Sequence, residues 1–227
     1  MIRLEKRKTE KYLFDTLPEA LVPIEVTLRG DKLTVESFRR TRGIAKKFYK
    51  KHKMCPFSNE AKEFLDKSLK DVVYQWGYAS DDLNEGHIVT YIASDINREV
   101  IQNSTVKIKS ADGYENLTEY ELEDIDESSD EWYFVTACDG KIVSVCETNS
   151  QDAFVGAKEI NVYTAPEYRG KGYAASNAAA AAEYYKKLGY KVAYTSRIDN
   201  EASVKTAEKC GFESIAETFY YICYKEL

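Results

Sequence analysis

Glu159-Ile160-Asn161-Val162-Tyr163-Thr164-Ala165-Pro166-Glu167-Tyr168-Arg169-Gly170-Lys171-Gly172-Tyr173-Ala174 is the stretch on which the fold is decided. Residues 160–164 alternate as a strand does. Pro166 ends that run, and a loop with two glycines and two cations, Arg169 and Lys171, opens directly into a helix predicted over residues 172–188. The glycines let the main chain come close to a ligand. The first helical turn adds unpaired N–H groups and the positive end of the helix dipole. Together they make an anion cradle suited to a phosphate or pyrophosphate.

Two common phosphate motifs fit poorly. A P-loop, G-x-x-x-x-G-K-[ST], is absent. A dinucleotide fingerprint matches formally as Gly170-x-Gly172-x-x-Ala175. However, Pro166 to Arg169 intervene where that turn must be tight, and 55 residues after Gly172 are too few for two mononucleotide-binding halves. Upstream, residues 132–137 and 142–146 flank Cys138-Asp139-Gly140-Lys141, a strong hairpin signal because Asp-Gly accepts the φ > 0 of a tight turn. Downstream, the alanine run 178–182 and Gly189 mark the body and stop of the helix, and residues 192–195 form a strand. Asn200 caps a second helix that ends at Cys210-Gly211-Phe212, and residues 219–224 close the chain as a strand. A strand, a hairpin and then β-α-β-α-β predict an α/β layer fold.

The N-terminal part reads differently. Residues 24–28 and 33–35 suit strands around a turn at 29–32, and Phe38, Ala45, Phe48 and Tyr49 suit one helix face within 36–52. Ser58 caps a helix whose apolar residues Ala61, Phe64, Leu65, Leu69, Val72, Val73 and Trp76 recur at helical spacing; residues 87–93 read as a strand. A boundary near residue 100 divides a helix-rich, basic region, 1–100, from a domain at 101–227. Of 227 residues, 44% are hydrophobic and 31% charged, enough apolar content for a packed core. No stretch approaches the ~20 apolar residues of a spanning helix, and residues 1–7 do not lead into a secretory signal.

The net charge of −6 conceals an asymmetry. Residues 1–70 hold 18 Lys/Arg against 10 Asp/Glu, residues 71–227 hold 14 against 28, and residues 110–132 hold ten acids with no Lys or Arg. Residues 39–53, with eight Lys/Arg beside Phe48 and Tyr49, could form a nucleic-acid surface. A solvated helix face is the stronger expectation, since no nucleic-acid module accompanies the charge. Five cysteines lack C-x-x-C spacing and only two histidines are present, so free thiols in a reducing cytoplasm are expected, with no metal site.

The central segment resembles the acyl-CoA-binding motif of the GNAT superfamily of N-acetyltransferases, R/Q-x-x-G-x-G/A, with Arg169, Gly172 and Ala174 at its defined positions. Residues 164–168 look like the end of that family's fourth strand, and Asn200-Glu201-Ala202-Ser203 with residues 207–212 look like its fifth-strand exit and following helix. The likeness covers roughly residues 103–227, and the layout is also similar to the zwittermicin-resistance-like branch. The resemblance implies a mixed α/β (α+β) fold, a mostly antiparallel sheet flanked by helices, extended here by the N-terminal region. It implies acetyl-CoA as cosubstrate, lying where the fourth and fifth strands splay. The main chain of Val162 and Thr164 would meet the pantetheine arm, and Gly170, Lys171, Gly172, Tyr173 and Ala174, with Arg169, would hold the pyrophosphate. Asn200 and Ser203 would sit toward the thiol end. An amine would attack the thioester directly. The rival reading is a non-catalytic CoA- or nucleic-acid-binding module on the same fold.

An ammonium acceptor must lose a proton, so a carboxylate near the fourth strand is wanted. Glu159 and Glu147 are the candidates. The family's usual acid tyrosine is replaced by Ala207, leaving Tyr220, Tyr221 or solvent to protonate the thiolate. The acceptor is a small-molecule or protein/peptide amine, with no membrane partner. The acidic segment 111–130 is expected to be a solvated loop; a cationic acceptor touching Glu119, Glu121 and Glu123 is the alternative.

Overall fold

The computed structural model describes residues 20–78, 83–115, 122–149 and 157–224. Glu119, Glu121 and residues 1–7 lie outside them. Among the described residues are nine strands: β1 (Ala20–Arg29), β2 (Lys32–Ser37), β3 (Asn84–Ala93), β4 (Thr105–Ile108), β5 (Tyr133–Cys138), β6 (Lys141–Asn149), β7 (Ala157–Thr164), β8 (Lys191–Arg197) and β9 (Phe212–Tyr224). Four α-helices accompany them: α1 (Arg42–His52), α2 (Asn59–Gln75), α3 (Tyr173–Lys187) and α4 (Glu201–Lys209). The fold is mixed α/β with mostly antiparallel pairing. The chain divides into two compact units, one of residues up to Val89 with Ala216 onward, the other of Thr90–Ile215.

In the first unit β1 pairs antiparallel with both β2 and β9. Alternation puts Ile24 and Val26 of β1 and Leu33 and Val35 of β2 into a core with Phe219 and Tyr221. Helix α2 starts where Ser58 Oγ accepts from Ala61 N–H (3.3 Å), and it buries Ala61, Leu65, Leu69 and Val73, one residue per turn. Helix α1 buries Ala45 and Phe48 and exposes Lys46, Lys47, Lys50 and Lys51, as a solvated basic face does. Its start differs from the sequence expectation. The ladder with β1 holds residues 35–37 in strand, so Phe38 lies in the turn before α1, buried edge-on against Trp76.

In the second unit β4, β5, β6 and β7 pair antiparallel in that order, and β8 pairs parallel to β7. The β5–β6 turn has Asp139 at φ 51° and Gly140 at φ 79°, the left-handed pair of a type I′ hairpin. Helix α3 covers one face of this sheet. Its buried Ala175, Ala178, Ala179, Ala181 and Ala182 leave little side-chain bulk between helix and strands, which is what the alanine run is for. The packing is fixed by polar contacts: Asn177 Nδ2 donates to Ser144 Oγ (3.1 Å), and Asn177 Oδ1 accepts from Thr105 and Thr136 (2.8 and 3.0 Å). No described helix is long and apolar enough to cross a membrane.

Candidate active site

Strands β7 and β8 pair over only three residues, Ala157↔Lys191 to Glu159↔Ala193, and then part. The direction of the freed main chain follows from the β6–β7 register. Ala165 N–H donates to Val143 O (3.0 Å), so the odd-numbered residues of β7 bond to β6. The even-numbered residues, Val162 and Thr164 among them, turn their N–H and C=O toward the widening gap. A cleft of ≈ 530 Å³ occupies it, lined by Val162 and Thr164 on β7, Tyr194 on β8, the 168–175 loop and helix start, and Asn200 and Ser203 at α4. That is a small-ligand size.

The loop is built as the sequence suggests. Gly170 and Gly172 have φ of +80° and +84°, and Gly172 is the N-cap residue of α3 with no side chain closing the first turn. Ser176 N–H donates to Gly172 O (3.0 Å), which leaves the amides of Tyr173, Ala174 and Ala175 as the helix's unbonded donors at the cleft. Arg169 does more than add charge: its Nε donates to Thr164 O (3.0 Å) and pins the loop to the strand end. Lys171 is not part of the cleft wall; its ammonium lies 4.7 Å from the Tyr168 ring. Asn200 caps α4 by accepting from Ser203 N–H (3.2 Å).

Three contributors carried no sequence signal. Gln102 holds the loop from outside, donating through Nε2 to Lys171 O (3.0 Å) and through its main-chain N–H to Ser176 Oγ (2.7 Å). Ser144 lies within hydrogen-bond reach of Thr164 Oγ1 (2.8 Å) and so fixes a cleft side chain from the neighbouring strand. Tyr194 is the first β8 residue past the last pair, and its hydroxyl is 2.9 Å from Ser203 Oγ. In sequence it reads only as a core aromatic of a strand. Tyr221, by contrast, donates to Lys62 O (3.0 Å) in the core of the first unit, and Tyr220 has its ring against Gly86. Ala207 is fully buried.

Glu159 and Glu147 do not line the cleft. Ser144 bonds to α3, so the even-numbered side of β6 and β7 faces that helix. Glu147 stands opposite Asn161 and Tyr133 in one cross-strand row on the other face, and Glu159 is one cross-strand diagonal away. Glu159 is only 8% exposed, yet no described residue gives it a hydrogen bond or a counter-charge. Thr195, two residues beyond Ala193 and therefore also on this face, has a buried hydroxyl without a partner. Unpartnered buried polar groups are costly in a fold, and on this face the Thr195 hydroxyl is one such atom among the described residues, whereas the Glu159 carboxylate is not.

Burial pushes the phenols of Tyr194 and Tyr185 up to about 12, and for each the neutral form is the one the fold favours. Because the folded-state values lie above the ordinary tyrosine value, their contribution is intact below pH ~10 and lost as pH rises toward ~12. Each accounts for roughly 2–3 kcal/mol at full loss. A steep fall in melting temperature is therefore expected between pH ~10 and ~12, followed by circular dichroism. A flat profile across that window would contradict the burial argument.

Residues 101–212, all within the second unit, match the model of the acetyltransferase (GNAT) family. A chain from Novosphingobium aromaticivorans assigned to the GNAT acetyltransferases is similar at 19% identity, covering 63% of this chain and 66% of that one, with a TM-score of 0.46. A GCN5-related N-acetyltransferase-like protein from Streptococcus suis is similar at 18%, covering 68% of each chain, TM-score 0.45. A GCN5-related N-acetyltransferase from Kribbella flavida is similar at 17%, covering 70% of this chain and 65% of that one, TM-score 0.44. The chain thus spans about two thirds of these structures' lengths. No curated protein matches.

Proposed function

We propose that the protein is a cytoplasmic acetyl-CoA-dependent N-acetyltransferase acting by direct attack in a ternary complex. The parting of β7 and β8 immediately after Glu159 carries the reading, because it opens the main chain of Val162 and Thr164 beside an anion cradle, with Glu159 at the last paired position on the opposite face. Acetyl-CoA supplies the acetyl group as an activated thioester. The amides of Tyr173, Ala174 and Ala175, with Gly170 and Gly172 keeping side chains out of the way, would hold its pyrophosphate. The edge of β7 at Val162 and Thr164 would take the pantetheine amides, and Asn200 and Ser203 would meet its far end. On the other face Glu159 accepts the proton that frees the amine lone pair. As the new C–N bond forms and the C–S bond breaks, Tyr194 is placed to give its proton to the departing sulfur, with Ser203 beside it to relay another. Its high pKa keeps that proton available across neutral pH. The cysteines take no part as nucleophiles; Cys210, for one, is buried against Ala175 O (3.1 Å), and burial pushes its thiol up to about 12. The five free thiols support the cytoplasmic location.

Ala174→Glu tests the cradle without spoiling the fold. A carboxylate in the first turn favours the helix dipole, so the unliganded melting temperature should hold or rise slightly. The same charge repels a pyrophosphate at those amides. Acetyl-CoA is expected to raise the melting temperature of the native protein and to leave that of the variant unmoved. An equal shift in both would place the cofactor elsewhere.

A further inference from the structure

The peptide joining Lys171 to Gly172 can present either of two dipole ends to the cleft, and the choice is made from outside it. Gly172 lines the cleft, whereas Gln102 and Lys171 do not. Gln102 Nε2 donates to Lys171 O (3.0 Å) and so holds that carbonyl on the side away from the ligand. No described peptide is cis, and in a planar trans peptide the N–H points opposite to the C=O. The Gly172 N–H is therefore aimed at the cleft, where no described residue accepts from it. It stands beside the unbonded amides of Tyr173, Ala174 and Ala175 as a further donor.

Glycine's own preferences do not select this orientation. Turning the peptide over would carry Gly172 from φ +84° to a negative φ, and glycine occupies both regions about equally. The turned form sets a carbonyl oxygen where the N–H stood, and its partial negative charge then faces any phosphate. Among the described residues, the Gln102 bond is the one hydrogen bond that either end of this peptide makes. Gln102 is itself held in place: its N–H donates to Ser176 Oγ (2.7 Å), and its carbonyl accepts from Thr105 N–H (3.0 Å). The hydroxyls behind it have one order of protons. Thr105 gives its only hydroxyl hydrogen to Asn177 Oδ1 (2.8 Å), so Ser176 donates to Thr105 Oγ1 (2.6 Å) and is left to accept from Gln102. Asn177, fully buried, continues the chain to Ser144 (3.1 Å), which adjoins Thr164 Oγ1 (2.8 Å) at the cleft wall. The brace thus runs from the far end of the loop back to the strand that starts it.

We infer that Gln102 is a positioning residue for the donor's diphosphate: its side-chain amide keeps the Lys171–Gly172 peptide in the orientation that binds an anion. For the identity of the ligand this rests on the acyl-transfer reading above. Gln102→Met tests it, because methionine keeps the length of the side chain and loses the donor. Calorimetric titration should show the Kd of CoA rising roughly three- to thirtyfold, since only molecules with the amide turned inward bind tightly. Pantetheine, which shares the arm of CoA and lacks the diphosphate, should bind both proteins alike. With n-butylamine as acceptor, KM for acetyl-CoA should rise with the Kd while kcat stays within about twofold. Circular dichroism confirms that the variant is folded. An unchanged Kd for CoA, or an equal loss with pantetheine, overturns the inference while acyl transfer stands. If CoA does not bind the native protein, the acyl-transfer reading falls instead, and titration with inorganic pyrophosphate judges the peptide alone. Weaker pyrophosphate binding by the variant then upholds the role of Gln102, and equal binding, or none by either protein, overturns it.

Discussion

Gly211→Ala is expected to destabilise the protein by about 2–5 kcal/mol. Gly211 has φ +86°, where an L side chain costs roughly 1–2 kcal/mol. A Cβ at this position would also stand 1.9 Å from Asp95 O and 2.9 Å from Asp95 C. Those are main-chain atoms, and they cannot swing aside as a lysine tip would. They are fixed by the clasp that closes α4: Ser94 N–H donates to Gly211 O (3.3 Å), Asn97 N–H to Cys210 O (3.0 Å) and Asn97 Nδ2 to Lys209 O (3.1 Å). Relief requires giving up part of that clasp, so overpacking adds roughly 1–3 kcal/mol to the strain. Urea unfolding measures it, and a loss below ~1 kcal/mol would mean that residues 94–97 yield freely. The damage should reach function, because the other end of the same helix carries Asn200 and Ser203 into the cleft.

Gly211 was visible in the sequence as a helix stop before Phe212, but the reason that only glycine fits was not. That reason lies in Asp95, more than a hundred residues earlier. The same division runs through the molecule. Features set by a residue and its immediate neighbours could be read directly: the Asp139-Gly140 turn, the Ser58 and Asn200 caps, and the glycines that open α3. The direction of the Val162 and Thr164 main chain was also accessible, through family likeness, and the β6–β7 register supplies its physical cause.

What escaped the sequence depends on partners chosen in three dimensions. Gln102 has no motif around it; it matters because the connection before β4 passes beside the phosphate-type loop. Tyr194 looked like any strand aromatic until pairing with β7 was seen to stop one residue earlier. The usual tyrosine position, Ala207, is buried, and Tyr221 is engaged with Lys62, so attention moves to a strand residue that no helical spacing could have suggested. The two carboxylates were named together for being near strand ends. Register then separates them in kind: Glu147 is half-buried beside Tyr133, whereas Glu159 is 8% exposed where the strands part.

Glu159→Gln is the substitution expected to cost most activity, with kcat falling by roughly 10²–10⁴ at neutral pH. Glutamine matches glutamate in volume and keeps a hydrogen-bonding end, so packing between β6 and β8 should survive; since the carboxylate has no partner to orphan, stability should hold or improve. Acetyl-CoA binding should persist too, because the cradle lies on the α3 side of the sheet and Glu159 on the other. The variant would then bind donor normally, as the thermal shift reports, and fail in transfer. A structural role could give the same loss, so the discriminating readout is the acceptor's own acidity. An alkylammonium needs a base, whereas an amine that is already neutral at the assay pH, such as hydroxylamine, does not. With hydroxylamine as acceptor the native and variant rates should converge to within about tenfold, while with an alkylamine they stay apart. Equal losses with both acceptors would make Glu159 a support for the strands rather than the base. Retention of more than about a tenth of the native rate with the alkylamine would move the base to Glu147, whose replacement by glutamine should then show the rescue instead.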